Sequence, residues 1–457
     1  MKLTVFPSAN GDCLLLTSKD GRHVLIDGGM PSSYRRYVGP RLETMARDGH
    51  SLDAVYVSHT DDDHITGILA LTEDAYHWKI FDAHLDGAPD DGESDAGDGF
   101  QRPRGRSRPP AVDRFWYNAF AAVVPEESGA IEAALIQTAT ALAAASGSAE
   151  LRAAALANRE LVASIRSGIK LSHRLQNPHL GYRVNPEFGG ELMQIDPDHS
   201  QAPEPLTVGS MRFHLIGPFK EDLETFAQEW REWVAANEEA IRDIEEEWER
   251  DEPGLTPSEF ERLQRTLVAR ATGLGRRGRV SAPNLASLMF LVEEAGRTIL
   301  LTGDGHGQDI LRGLEQQGRL NDDGGIHVDV LKVQHHGSEH NLDEEFCRRV
   351  TANHYVFCGN GAHHNPDLRV LEAIVDSRIG PSHHRSPNPR AKNQFRFWFN
   401  NSSTFDDEIN ADNKDHMAQV EDDVKTYIAQ SGEKMHASFI TDPRWEKKQR
   451  LEVSVGG

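Results

Sequence analysis

One stretch constrains this chain more than any other: Ser58-His59-Thr60-Asp61-Asp62-Asp63-His64. It follows Leu52-Asp53-Ala54-Val55-Tyr56-Val57, an apolar run that reads as a buried strand. Two imidazoles and three carboxylates thus fall within six residues at a strand end. No packing requirement of a strand end calls for that. A strand opening into a helix presents side chains from a tight loop toward one point. Hard and borderline ligands gathered there can hold two divalent ions. A solvated acidic turn that happens to carry histidines is the competing reading, and the surrounding sequence argues against it.

Upstream, Leu3-Thr4-Val5-Phe6, Cys13-Leu14-Leu15-Leu16-Thr17 and His23-Val24-Leu25-Ile26-Asp27 alternate with turns, which predicts a strand meander ending in Gly28-Gly29. A helix is expected over Tyr37 to Arg47. Residues Asp86 to Asp98 form an acidic, Gly-rich tract, and Arg102 to Arg114 a Pro/Arg stretch; both read as loops. Residues 115 to 172 are Ala-rich with helical spacing. Residues 220 to 272 form a second helical block with caps at Thr256 and Ser258, and one face carries Trp230, Val234, Ile241, Ile244 and Trp248. That stripe reads as a docking face and not as a cofactor box. Strands return at Leu206 to Ile216, Ser287 to Val292, Thr298 to Leu301, Val328 to Val333 and Tyr355 to Phe357.

Later residues complete a motif order: Asp27 in Leu-Ile-Asp-Gly-Gly, His59-x-Asp61-x-Asp63-His64, Asp304 in Leu-Leu-Thr-Gly-Asp, then His335-His336-Gly337-Ser338. This order resembles the metallo-β-lactamase fold superfamily. Asn284-x-x-Ser287-Leu288, Asp329-Val330-Leu331-Lys332-Val333-x-His335-His336, and the late His363-His364-Asn365-Pro366 are similar to the nuclease-type domain of the DNA-uptake family ComEC. The resemblance covers residues 1 to 86 and 204 to 380. It implies an α/β, four-layered αββα sandwich with a mostly helical insertion between the halves. The expected organisation is a first half over 1–99 and a loop with an Ala-rich helical insertion over 100–203. A second half spans 204–380, interrupted by a helical block at 220–280, and a polar C-terminal extension spans 381–457.

By position, the resemblance implies two divalent metal ions, Mn²⁺ or Zn²⁺. The metal ligands are His59, Asp61, Asp63, His64, the bridging Asp304, His335 and His364. The catalytic residues are Asp63 and His336. Of His335 and His336 one ring reaches the metal and the other serves as an acid, and either assignment stays open, as does the choice between His363 and His364. Asp27 is expected to order the loop behind the site. Asp61 stands where many members have histidine, which shifts the donor set toward oxygen and Mn²⁺. The histidine that commonly completes the first metal site has no diagnostic context among His84, His173, His179 and His214.

The function expected is a metal-dependent hydrolase, a phosphodiesterase or nuclease using a dinuclear-metal-activated hydroxide. Two alternatives stay open: a lactone or thioester hydrolase of the same fold, and a metal-binding component of a bacterial defence complex acting through its helical insertion. The expected partners are a phosphodiester substrate, nucleic acid or nucleotide, and a second copy or protein partner meeting the insertion. Charge matters here: 49 Lys+Arg against 72 Asp+Glu leaves −23, which repels polyanions on average. Nucleic acid would need a local basic patch, with Arg102–Arg114, Arg265–Arg279 and His383–Arg396 as candidates. No apolar run approaches the roughly 20 residues of a membrane span, so a cytoplasmic protein without membrane contact is expected. Cys13, Cys347 and Cys358 lack any CxxC spacing and read as core residues.

Overall fold

Short apolar runs at the start of the chain pair as their alternation predicts. β1 (Lys2–Val5), β2 (Leu14–Thr17) and β3 (His23–Ile26) form an antiparallel meander. β4 (Ala54–Val57), β5 (Arg114–Tyr117) and β6 (Arg183–Val184) then add in parallel. The strand at Leu451–Ser454, β15, pairs antiparallel with β1 and completes a seven-stranded sheet, β15-β1-β2-β3-β4-β5-β6. The computed structural model describes residues 1–87, 102–118, 167–168, 170–176, 178–196, 203–224, 228, 286–405, 410–441 and 451–454.

The second sheet repeats the plan. β7 (Leu206–Val208), β8 (Met211–Gly217), β9 (Met289–Glu294) and β10 (Arg297–Leu301) run antiparallel. β11 (Ile326–Lys332), β12 (Val350–Phe357), β13 (Phe395–Phe399) and β14 (Met435–Phe439) follow in parallel. The sheet has eight strands in the order β14-β13-β12-β11-β10-β9-β8-β7.

Burial on both faces explains the near-continuous apolar strands. Phe290 and Val292 of β9, Ile299 and Leu301 of β10 and Val330 of β11 join the core shared with the first sheet, where Trp116 meets Phe213 edge to face at 5.0 Å. Their neighbours Met289, Leu291, Leu300, Val328 and Leu331 belong instead to a second core. That core packs helices α3 (Gly307–Gln316), α4 (Glu344–Arg349), α5 (Leu368–Ile379) and α6 (Ala411–Gln430) on the second sheet. Helices α1 (Gly39–Arg47) and α2 (Asp62–Gly87) cover the first sheet through Leu42, Met45, Ile65 and Ile68. The architecture is the expected αββα sandwich.

Two readings need correction. Residues 115 to 117 begin no helix: Phe115-Trp116-Tyr117 is the buried end of β5, because three bulky aromatics fill the space between layers better than they pack on a helix. The Arg102–Arg108 stretch is only partly a basic patch, since two of its four arginines are paired with acids of α2. Arg106 pairs with Glu73 at 2.8 Å and Asp74 at 3.0 Å, Arg108 pairs with Asp82, and the Arg102 and Arg108 guanidiniums lie 5.1 and 4.8 Å over the Trp78 ring. These partners sit on α2 about 15–30 Å along the helix from Asp63, at about 1.5 Å per residue. In the His383–Arg396 stretch, Arg390 faces Asp329 at 3.5 Å and Arg396 donates to Ser438 at 2.9 Å. The Asp86–Asp98 tract beyond residue 87, most of the Ala-rich stretch, the Trp230–Trp248 face and Arg265–Arg279 lie outside the described residues. Past residue 380 the second sheet continues through β13 and β14. Among the described residues, no helix is long and apolar enough to cross a membrane.

Candidate metal centre

Four strand ends deliver the site. β4 ends at Val57, and Ser58 to Asp63 lead straight into α2. β3 ends in Asp27, which holds φ 53°, and the Asp27-Gly28-Gly29 turn clamps the first turn of α2: Gly28 N–H donates to His64 O and Gly67 N–H to Gly29 O, both at 2.8 Å. The two chains approach so closely that a Cβ on Gly28 would lie 2.3 Å from Ile68 N. β10 runs into Asp304, and β11 into His335-His336-Gly337, three consecutive residues with φ of 44°, 56° and 89°. Such left-handed backbone is costly for a side-chain-bearing residue, and it marks sites where orientation matters.

These ends converge on one oxygen. From Asp304 Oδ2, the Nε2 atoms lie at 3.4 Å for His64, 3.4 Å for His336, 3.8 Å for His59 and 3.9 Å for His335. Asp61 Oδ2 stands 3.6 Å from His59 Nε2, and Asp63 Oδ2 3.1 Å from His336 Nε2. Except for the partly exposed His335, Asp61 and Asp63, the cluster is essentially shut off from solvent.

The opposite ring nitrogens settle which tautomer each histidine holds. His64 Nδ1 donates to Asp27 Oδ2 at 3.0 Å. Ser58 spends its hydroxyl proton on the same Asp27 oxygen at 2.7 Å, so its oxygen accepts from His59 Nδ1 at 3.0 Å. Asn341 donates through Nδ2 to Asp304 O at 2.8 Å, which leaves its Oδ1 to accept from His335 Nδ1 at 2.5 Å. His336 Nδ1 donates to Cys358 O at 2.6 Å. In all four rings Nδ1 is thus the nitrogen that donates away from the cluster, and Nε2, which carries a lone pair whenever the ring is neutral, faces Asp304.

Those lone pairs fit a cation. His59 Nε2 and His64 Nε2 are buried and have no hydrogen-bond partner, and His59, His64 and Asp304 offer ligand atoms within 4.8 Å of one another. A buried polar atom without a partner costs about 1–3 kcal/mol, which a bound divalent ion would relieve. Electrostatics agree. Burial opposes charge on His336, yet Asp304, Asp12 and Asp63 outweigh it and lift its pKa to about 10. Burial likewise opposes charge on Asp304, but His64, His336 and Lys332 hold it well below the usual carboxylate range.

Residues 9–123 match the family model of the Metallo-beta-lactamase superfamily. They form part of a metallo-beta-lactamase superfamily domain. A 99-residue stretch is 31% identical to ComE operon protein 3 of Bacillus subtilis (strain 168), covering 21% of this chain and 12% of that protein. The chain thus aligns with about an eighth of this relative's length. The metallo-beta-lactamase domain, the two-sheet sandwich and the clustered ligand atoms together indicate a metal-dependent hydrolase.

Not every expected residue reaches the centre of this domain. His59, Asp61, Asp63, His64, Asp304, His335 and His336 come together. His364 makes no pair within 4.0 Å with any carboxylate of the cluster; it is exposed on the Ala362–His364 turn, its ring 5.3 Å from that of His416. The His173 ring lies tilted against that of His179 at 4.4 Å, and His214 pairs with Glu293 at 2.9 Å. Asp12, Lys332 and Asn341 were missed. A signal existed for Lys332, since a lysine inside a strand buried on both faces must find an anion.

Proposed function

We propose that this chain is a dinuclear metal-dependent phosphodiesterase or nuclease. The observation that carries the reading is the convergence of four Nε2 atoms on Asp304 Oδ2, with Asp61 and Asp63 beside His59 and His336. His59 with Asp61 would hold one divalent ion, Asp63 with His64 and His336 the other, and Asp304 would bridge. Mn²⁺ and Zn²⁺ both suit imidazole and carboxylate donors. When bound, two such ions supply a deprotonated water at neutral pH and neutralise charge that develops on a phosphoryl oxygen.

The chain's own groups divide the remaining work. His336 is the more deeply buried of the histidine pair and faces Asp63 and Asp304, which suits a ligand. His335, with 29% of its side chain exposed and Nδ1–H held by Asn341, has an Nε2 that would take a proton from the attacking water and then pass it to a leaving group. Asp27, Ser58 and Asn341 hold the rings. The phosphodiester assignment draws on the partial likeness to ComE operon protein 3 and on the carboxylates Asp61, Asp63 and Asp304 in the donor set.

The test is hydrolysis of bis-p-nitrophenyl phosphate by protein reconstituted with Mn²⁺ or Zn²⁺, followed by DNA, RNA and a cyclic nucleotide. Phosphodiester turnover supports the reading. Turnover of a lactone or thioester with phosphodiesters intact overturns it. His335→Gln should keep the wild-type metal content with a lower kcat, whereas His336→Gln should lose bound metal; the reverse pattern exchanges their roles.

A further inference from the structure

A second group behind the imidazoles has ligand chemistry of its own: Asp12, His64 and His336 also place ligand atoms within 4.8 Å of one another. That space already holds a cation belonging to the protein. Lys332, the last residue of β11, is almost fully buried and pairs with Asp12 Oδ2. Its Nζ donates to Gly303 O at 2.9 Å and lies 3.5 Å from Asp304 Oδ1. An ammonium carries three protons, and three acceptors surround this one. The ring atoms facing Asp12 are the Nδ1 atoms, at 3.9 Å for His64 and 3.4 Å for His336, and these already serve Asp27 and Cys358 O.

The two oxygens of Asp304 are therefore sorted. Oδ1 faces the ammonium and Oδ2 faces the four Nε2 atoms. Lys332 is itself anchored, because Thr302 Oγ1 donates to its carbonyl at 2.7 Å. We propose that Lys332 is a positioning residue that reserves Asp304 Oδ2 for the metals, and that Asp12 is its counter-ion and not a metal ligand. This rests on the dinuclear reading above. Without the ammonium, the Asp304 carboxylate is free to turn and present either oxygen, so two bound ions would no longer meet a fixed shared ligand.

The full chain is stripped of metal, reconstituted with Mn²⁺, and examined for stoichiometry, affinity and electron paramagnetic resonance. Wild type is expected to take two ions with an exchange-coupled signal. Asp12→Asn should keep both ions and the coupling, since Gly303 O and Asp304 still hold Lys332. Lys332→Gln should bind the second ion about 10–100-fold more weakly and lose the coupling, the range typical for outer partners of metal ligands. If Lys332→Gln fails to fold by circular dichroism, Asp12→Asn/Lys332→Gln removes the ion pair as a neutral unit and is expected to lose the coupling equally. Wild-type coupling in the lysine variants, or loss of an ion in Asp12→Asn, overturns the inference while leaving the dinuclear centre standing. A wild type that takes up fewer than two ions overturns both.

Discussion

Replacing Asp27 by Asn changes one atom and should cost the site two correctly turned histidines. Asp27 Oδ1 accepts from Ser58 N–H at 2.7 Å, and Oδ2 accepts from Ser58 Oγ at 2.7 Å and His64 Nδ1 at 3.0 Å. An asparagine must aim its NH₂ at one of these two groups of donors. Aimed at Ser58 N–H, it sets donor against donor. Aimed at His64, it forces Nδ1 to accept, which moves the ring proton to Nε2 and removes the lone pair meant for the metal. Ser58 must then donate elsewhere or turn, and His59 follows. The loss is one charge-assisted hydrogen bond plus an inverted tautomer, about 1.5–3 kcal/mol. At 1.4 kcal/mol per factor of ten, that is roughly a 10–100-fold weaker metal affinity. Competition between the metal-free variant and a chromophoric chelator measures it, with far-ultraviolet circular dichroism as the check on folding. An affinity within twofold of wild type would show that Asp27 does not set the tautomers, and the orientation argument would fail with it.

Other expectations follow from the same geometry. Asp304→Asn should bind less metal and lose turnover by at least about 100-fold with an unchanged dichroism spectrum, since the sheets are held by apolar packing. Arg106→Ala should lower stability by about 2 kcal/mol in urea unfolding, because it takes the nearer of two guanidiniums from the buried Asp74 and leaves only Arg35 at 3.8 Å, yet leave the salt dependence of any polynucleotide binding as it was. His327 is buried against Thr351 and Asn353, and burial lowers its pKa to about 4. Its unfolded pKa is near 6.5, so the unfolded chain takes up a proton first as pH falls. Stability should therefore drop between pH 6.5 and 4, by up to about 3 kcal/mol, and His327→Asn should flatten that part of the urea-midpoint profile.

Much of this was legible because local pattern and final environment agree. Val55, Tyr56 and Val57 are apolar in sequence and buried on both faces in the fold, and the His59–His64 loop has no rationale except its ligands. What stayed hidden was long-range pairing. Asp12 sits in Asn10-Gly11-Asp12, which reads as an ordinary turn, and its partner Lys332 lies 320 residues on. Arg106 and Arg108, in an evenly spaced run of arginines, look like part of a phosphate strip until Glu73, Asp74 and Asp82 are seen beneath them. A sequence gives charges, but not which opposite charge the fold brings up to meet them. His364 shows the same limit in reverse, since motif position carried it toward a centre from which its turn holds it apart.

The pairing of β15 with β1 sets an order of events during synthesis. Lys2–Val5 leaves the ribosome early, while Leu451–Ser454, its neighbour on one side, follows 446 residues after Val5. At about 5–20 residues per second, the nascent chain carries that edge of the first sheet open for about 20–90 s. An unpaired strand edge is a template for any other extended segment. The interval is therefore when neighbouring nascent chains on one message can exchange strands, and a product released before residue 451 would keep the sticky edge for its whole life.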